Sequence, residues 1–177
     1  PFQVRLLRES IEKRSPLRRE QIASAADRFQ ALCRLTAMVS SARGSASIES
    51  FIVDTALSIA GMERGALIRA AAGEGVFRIS EASGGLTATG TLTDERILAV
   101  LEITKQLGYP LDTTRTTIPE GKIPSAYLAE RPRILCLPLR IGDETAAFLY
   151  LDASRGEERT GDEDHSLLVA FGQQAAL

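Results

Sequence analysis

The sequence has 177 residues, of which 44% are hydrophobic and 25% are charged, close to the averages for globular proteins. The 21 Lys and Arg residues nearly balance the 23 Asp and Glu residues, and the net charge of -2 excludes a strongly basic nucleic-acid-binding protein. One histidine and two cysteines are too few for a disulfide framework, a four-ligand zinc site or most histidine-based catalysis. No window approaches the roughly 18 apolar residues of a membrane span. We therefore expect a soluble, cytoplasmic protein of about one domain that does not contact a membrane.

The first 34 residues differ in charge from the rest of the chain. They carry a net charge of +4, whereas the remainder carries -6. Acidic residues alternate with basic ones, as at Glu9 and Lys13, and this four-residue spacing favours a solvent-exposed helix. Contact with phosphates or anionic lipid is the alternative for such a basic segment, but we expect no direct contact with nucleic acid. We predict that residues 1–24 form an N-terminal signalling helix or linker and that residues 25–177 form the main domain.

A long helix is predicted from Leu17 to about Ser41. Ser15 and Pro16 suit its N-cap and its first helical position. Apolar residues lie along two neighbouring stripes of this helix, so it has to bury a wide face against more than one neighbour. We predict that one neighbour is a second subunit, in a homodimer formed through the first and last helices. The candidate dimer residues are Ile22, Phe29, Leu32, Leu35, Val39, Leu168 and Phe171.

The middle of the chain changes from helical to strand periodicity. Glycines bound most of these elements, since glycine adopts positive φ at low cost and ends helices or forms hairpin turns. The predicted elements are a helix from Ser47 to Gly61, strands at residues 66–72, 76–82 and 87–92, and a helix over residues 94–107 that Thr93 caps and Gly108 ends.

The last third of the chain contains an irregular stretch and then the strongest hairpin. Residues 109–132 have little periodicity, and such a long irregular segment is usually functional or mobile. The hairpin strands are apolar at nearly every position, which predicts central strands covered on both faces. Pro138 within the first of them predicts a break or bulge in its pairing. The predicted elements are a short edge strand at residues 111–113, a helical turn at 125–130, strands at 134–141 and 145–152, and a last helix from Asp164 to the end.

Consecutive strands joined by tight turns predict an antiparallel sheet. Helices precede, interrupt and follow these strands. The expected fold class is therefore α+β, with a single antiparallel sheet of about five to six strands and helices on both faces.

Two stretches of this pattern carry a family resemblance. The first is Gly61-Met62-Glu63-Arg64-Gly65-Ala66-Leu67-Ile68. The second comprises Leu135-Cys136-Leu137-Pro138-Leu139, Ala147-Phe148-Leu149-Tyr150-Leu151-Asp152, Glu163-Asp164 and Leu167-Leu168-Val169-Ala170-Phe171. They resemble the helix-to-strand junction, the closing hairpin and the C-terminal helix of the GAF family of bacterial signalling domains. The resemblance covers residues 25–177 and implies a GAF/PAS-like sensor domain. It is greatest to domains upstream of enhancer-binding transcription activators, and similar domains precede nucleotide cyclases and sensor kinases.

Departures from the family's patterns reduce the number of ligand classes that this chain is expected to bind. The chain contains no Asn, whereas the family's cyclic-nucleotide-binding members carry an Asn-containing signature. Bilin-binding members attach the pigment through a Cys followed by His, but Leu137 follows Cys136 here. Arg159-Thr160-Gly161 stands where the family usually has an aromatic residue before the last helix. We expect no cyclic nucleotide, no covalent bilin and no other cofactor.

Four residues are candidates for a ligand pocket, which the resemblance implies between the sheet and residues 94–133: Tyr109, Arg115, Tyr127 and Cys136. Arg115 lies among threonines, and a guanidinium with nearby hydroxyls can hold an anion; an exposed mobile loop is the alternative. Tyr109 and Tyr127 border the same region as pocket walls with polar tips, or as ordinary packing. Cys136 is a buried core residue or a redox-sensitive thiol.

The remaining titratable residues are assigned to the surface. His165 at the start of the last helix is expected to be a surface residue rather than a ligand or pH switch. Asp152, Asp162, Glu163 and Asp164 match no calcium-loop spacing and are expected to be a solvated acidic group. We predict no metal site and no catalytic residue.

The function predicted is that of a non-catalytic regulatory sensor. It would couple a small molecule or a partner to an output domain, in a transcription activator, beyond the end of this chain, which we expect to be a segment of a longer protein. One alternative is a pure dimerisation module whose pocket is filled by side chains. The other is a redox sensor or enzyme that uses Cys136.

Overall fold

The computed structural model describes residues 45–71, 75–86, 90–154 and 162–175. All of them lie in the second of the two units into which the chain divides, residues 35–177. The first predicted helix lies outside the described residues, and so do its dimer candidates Ile22, Phe29, Leu32, Leu35 and Val39. The boundary between residues 24 and 25 also lies there and stays a prediction.

The described residues form four helices and six strands. The helices are α1 (Ser45–Ala60), α2 (Glu95–Leu107), α3 (Ser125–Glu130) and α4 (Asp162–Ala175). The strands are β1 (Arg64–Ala70), β2 (Phe77–Ser83), β3 (Gly90–Thr91), β4 (Leu111–Asp112), β5 (Arg133–Ile141) and β6 (Glu144–Ala153).

The six strands form one sheet in the order β3-β2-β1-β6-β5-β4, and every pairing is antiparallel. β1 and β6 lie at the centre, where both faces of the sheet are covered. This position explains why residues 147–153 of β6 are all buried, as the apolar run in the sequence indicated. The predicted fold class, a single antiparallel sheet of five to six strands with helices on both faces, is confirmed.

One face of the sheet is covered by α1 and α4. A Cβ at Gly65 of β1 would lie 2.8 Å from the side chain of Leu151 and 3.2 Å from that of Leu57, so the missing side chain lets α1 approach closely. Gly172 of α4 likewise faces Leu137 and Leu139 of β5. The residues that alternate with these on the strands point to the opposite face, beneath α2 and α3.

The ends of α2 follow from short-range chemistry. Asp94 is the N-cap, because its side chain accepts a hydrogen bond from the backbone N–H of Arg96. The predicted cap, Thr93, was therefore wrong by one residue. Gly108 ends the helix with a φ of 69°, and its N–H donates to the carbonyl oxygen of Thr104, as predicted for a left-handed C-cap glycine.

Pro138 lies inside β5, opposite Phe148 of β6. The pairing of β5 with β6 becomes irregular between Leu139 and Arg140, so the predicted bulge is confirmed one residue further along. β4 pairs only with residues 135 and 136 of β5. Pro138 therefore lies where the described part of the sheet has no strand outside β5, a position at which proline is tolerated.

Candidate functional site

The sheet face beneath α2 and α3 carries a row of polar side chains in an apolar surround. On β6, Phe148, Tyr150 and Asp152 share this face, because alternate residues of a strand point the same way. In register with them, Arg64 of β1 lies opposite Asp152, and Cys136 of β5 lies opposite Tyr150. Fifteen buried residues of both layers form one apolar cluster around them, including Ile97 and Leu101 of α2 and Tyr127 of α3.

Arg64 and Asp152 form a bidentate ion pair. Arg64 Nε donates to Asp152 Oδ1 at 2.8 Å, and its terminal Nη2 donates to Oδ2 at 2.6 Å. The Asp152 side chain has no exposed surface, whereas that of Arg64 keeps 20% of its surface in contact with solvent. The hydrogen bond to Asp152 raises the pKa of Arg64 above its ordinary value, so the guanidinium is charged at neutral pH.

Two tyrosine hydroxyls extend this ion pair into the core. Tyr150 donates its hydroxyl proton to Asp152 Oδ2 at 2.7 Å. The hydroxyl of Tyr127 lies 2.5 Å from that of Tyr150. Because the single proton of Tyr150 is used by Asp152, Tyr127 is the donor in the second hydrogen bond. Burial, and in second place the charge of Asp152, raises the pKa of Tyr150, and burial raises that of Tyr127.

Further charged residues surround the pair at its solvent side. Arg131, directly after α3, lies 3.2 Å from Glu63 Oε2 and 3.8 Å from Asp152 Oδ1. Glu63 in turn accepts hydrogen bonds from the backbone N–H and the hydroxyl of Ser154. These contacts connect the residue before β1 and the residue after β6 to the end of α3.

A cation covers the ring of Tyr127. The guanidinium carbon of Arg96 lies 4.8 Å from the ring centroid, within the range of a cation–π interaction. Arg96 is held there by Asp94, whose carboxylate accepts from Arg96 Nε at 3.0 Å and from its Nη2 at 2.8 Å. The side-chain hydrogen bond from Arg96 lowers the pKa of Asp94.

Cys136 lies in the same cluster as Tyr127 and is fully buried. Burial raises the pKa of its thiol to about 12, and a side-chain hydrogen bond with Thr104 opposes this shift only in part. The thiolate is the nucleophile and the metal ligand of cysteine, and at neutral pH Cys136 is a protonated thiol.

The structure separates the other two pocket candidates from Tyr127 and Cys136. Tyr109 is 52% exposed and borders a different, open cleft of about 520 Å³ beside β5 and α4, together with Pro138, Arg140 and Val169. Arg115 makes ion pairs with Asp112 at 3.2 Å and with Asp162 at 2.6 Å. It therefore joins the start of α4 to β4, the edge strand of the sheet.

One expectation about a titratable residue was wrong. Asp152 does not belong to a solvated acidic group, because its side chain is fully buried against Arg64. The side chain of His165 is partly at the surface, at 23% exposed, and its Nδ1 lies 3.5 Å from the buried carboxylate of Asp112. His165 and Arg115 thus both approach Asp112.

The two described dimer candidates, Leu168 and Phe171, lie in the core. Both side chains have no exposed surface, and α4 contacts α1 and β5. The apolar spacing of these two residues is therefore explained by the packing of α4 within its own chain, without a second subunit. Any contact of α4 with a second subunit would have to use other residues, such as the half-buried Leu167 and Val169.

Sequence reasoning missed Arg64, Tyr150 and Asp152 as site residues. A signal was present, because Tyr150 and Asp152 are polar residues spaced by two on an otherwise apolar strand, which places both on one buried face.

A second cleft, of about 290 Å³, opens beside the start of α2 and is lined by Ile79, Leu92 and Asp94 among others. Within the described ranges, no three His, Cys, Asp or Glu residues are grouped as a metal site would need.

At the level of sequence, the chain matches no family model and no curated protein. Solved structures share its fold. The GAF domain of a putative sensor histidine kinase from Pseudomonas syringae pv. tomato aligns over 89% of this chain and 88% of its own length, with 18% identity and a TM-score of 0.59.

Two further GAF domains align at 12% identity. One, from a phosphoenolpyruvate-protein phosphotransferase of Coxiella burnetii, covers 86% of this chain and 92% of its own length, with a TM-score of 0.65. The other, the phycoerythrobilin-bound domain of a cyanobacterial phytochrome, covers 86% and 94%, with a TM-score of 0.66. The chain therefore has the GAF fold, and the resemblance in its sequence is confirmed at the level of fold.

Proposed function

We propose that this chain is a non-catalytic regulatory sensor domain, whose ligand site is the sheet face beneath α2 and α3. The GAF fold supports this proposal, because a sensor histidine kinase and a phytochrome are among the proteins that contain it. Fold alone does not identify a function. The polar groups of that face are therefore the main support for a ligand site.

The observation that carries the proposal is the chain of hydrogen bonds from Arg64 through Asp152 and Tyr150 to Tyr127. A buried ion pair generally stabilises a fold no better than well-packed apolar residues of similar volume. Stability alone therefore does not explain these groups at the centre of an apolar face. A few polar groups converging in an apolar site are typical of small-molecule binding.

The effect of ligand binding would pass to α4 through the charged residues at the solvent side of the site. Arg131 and Glu63 connect the site to the chain after β6 through Ser154, and that chain leads into α4. We propose that ligand binding alters the position of α4 in a homodimer built from the first and last helices. The signal would then pass to an output domain for transcription activation, and the protein would act in the cytoplasm. In the described part of the chain, no helix is both long and apolar enough to cross a membrane.

A pure dimerisation module is the second candidate. The observation in its favour is that Tyr127, Leu101 and Phe148 are at most 2% exposed, so side chains already fill the face. A redox role for Cys136 has less support, because the buried thiol is protonated at neutral pH.

The experiment is a small-molecule screen by amide chemical shifts on the full chain. A sensor gives a compound that shifts the amide signals of Tyr150 and Asp152 and, with them, those of α4. The matched controls are Asp152→Asn, which should abolish binding, and Tyr109→Ala in the separate cleft, which should preserve it. If no compound moves these signals while sedimentation shows a dimer, the dimerisation module is correct. A strict monomer at high micromolar concentration would contradict the dimer.

A further inference from the structure

Tyr127 fills the centre of the proposed site from outside the sheet. It is 2% exposed and is the buried residue of α3, whose other five residues are half-buried or exposed. Its hydroxyl reaches two groups of the sheet, the hydroxyl of Tyr150 at 2.5 Å and, at the longer distance of 3.5 Å, Asp152 Oδ2. α3 itself has six residues and no side-chain cap at Pro124. Tyr127 is thus the one buried residue of this short helix, and Leu128 packs partly buried against the same apolar cluster.

We propose that Tyr127 occupies a binding site for a small neutral phenol, and that such a ligand displaces Tyr127 and releases α3. This inference rests on the proposed function, since it names the ligand class of the same site. The side chain of Tyr127 is itself a phenol. Its hydroxyl and its aromatic ring each have their own partners in the protein, and these partners define what a ligand must offer.

The polar end of the site requires a hydroxyl that donates. The proton of Tyr150 is already given to Asp152, so the free group at this point is the lone pair of the Tyr150 oxygen. A ligand without a donor would leave that oxygen unpaired, and an anion would lie close to the carboxylate of Asp152. The raised pKa values of both tyrosines have the same cause, because burial disfavours a phenolate here.

The remaining surface of the site favours a flat aromatic ring. Ile97, Leu101, Cys136 and Phe148 belong to the apolar cluster that contains Tyr127. On the solvent side, Arg96 lies 4.8 Å from the ring centroid, and a guanidinium at this distance attracts an aromatic face but not an aliphatic one. An aliphatic alcohol would satisfy Tyr150 but not Arg96.

The cost of displacing Tyr127 sets the expected affinities. A ligand binds only the fraction of molecules in which Tyr127 has left, so the apparent affinity of the wild type is reduced by that fraction. Substitutions that remove interactions of the Tyr127 side chain should raise the fraction of molecules in which it has left the site. The apparent affinity for phenol should therefore increase from the wild type to Tyr127→Phe and again to Tyr127→Ala.

The test uses phenol and benzene as probes of the full chain, by calorimetry and amide shifts. Tyr127→Ala lacks a phenol group, and phenol should bind it about tenfold more tightly than benzene, since one buried hydrogen bond is worth about this factor. Adding Tyr150→Phe should remove the preference. In the wild type, phenol should accelerate hydrogen exchange at residues 125–130.

Several results would overturn the inference. They are equal binding of phenol and benzene to Tyr127→Ala, an affinity for Tyr127→Phe no higher than for the wild type, or phenol binding that slows exchange in α3. If Tyr127→Ala does not fold, the comparison of Tyr127→Phe with the wild type decides by itself. If phenol fails but another compound shifts the signals of Tyr150 and Asp152, the phenol class is wrong while the sensor function stands.

Discussion

Removing one partner of the Arg64–Asp152 ion pair should destabilise the domain strongly and unequally. Asp152 is fully buried and Arg64 is one-fifth exposed. In Asp152→Ala, the guanidinium can still be hydrated at its exposed side. In Arg64→Ala, a buried carboxylate is left with the hydroxyls of Tyr150 at 2.7 Å and Tyr127 at 3.5 Å, and with Arg131 at 3.8 Å.

The magnitudes follow from that asymmetry. Breaking a buried ion pair by removing one partner costs about 3 to 5 kcal/mol. We expect Asp152→Ala near the lower end, about 3 kcal/mol, and Arg64→Ala near the upper end, about 5 kcal/mol. The two losses share one interaction, so the double variant should cost about 2 to 3 kcal/mol less than their sum.

Urea unfolding followed by circular dichroism measures all three free energies of unfolding. The control is Arg69→Ala on the same strand, because Arg69 is 55% exposed and its ion pair with Glu49 should be worth less than about 1 kcal/mol. Additive single losses, or an Arg64→Ala loss no greater than that of Arg69→Ala, would refute the argument.

Three further predictions concern single positions. Cys136, with a thiol pKa of about 12, should stay unlabelled by iodoacetamide in the native protein at neutral pH and react fully in denaturant; rapid native labelling would revive the redox alternative. Asp94→Ala should cost about 1 kcal/mol through loss of the N-cap. Because Arg96 lowers the pKa of Asp94 below its ordinary 3.8, this contribution is present above that pH and is lost as the pH falls through the folded value. The difference between wild type and variant in acid titration checks this sign, and a difference that grows on acidification would contradict it. Gly84→Ala should be at least about 2 kcal/mol worse than Gly85→Ala. Both positions have positive φ, but only at Gly84 would a Cβ overlap neighbouring backbone; equal thermal unfolding of the two variants would disprove the clash.

The fold was predictable from the sequence because it depends on local signals. Strand periodicity, the glycines at turns and the apolar hairpin of residues 134–152 fix the elements, and consecutive hairpins fix an antiparallel sheet. Errors at this level were small, such as the cap assigned to Thr93 in place of Asp94. Adjacent cap-forming residues are hard to distinguish by type, since both accept hydrogen bonds from backbone N–H groups.

The site was only partly predictable because it depends on contacts that are distant in sequence. Arg64 and Asp152 are 88 positions apart, and only the register of β1 against β6 makes them partners. Tyr127 was predicted to border the pocket, and the structure places it in the core cluster against the sheet, but its position in the sequence does not reveal whether it lines a site or fills it. Arg115 was assigned to the pocket because of its charge. In the structure it forms ion pairs with Asp112 of β4 and Asp162 of α4.

Native-state hydrogen exchange in α3 tests the central claim most directly. The amides of Leu128 and Arg131 donate to the carbonyl oxygens of Pro124 and Tyr127, so they report on the opening of α3 alone. If α3 is a displaceable cover of a ligand site, these amides exchange by local opening, far faster than those of Tyr150 and Asp152 in β6, and phenol accelerates only the first pair. Exchange of both pairs at one rate, unchanged by phenol, would mean that Tyr127 is a fixed part of the core and would contradict the account.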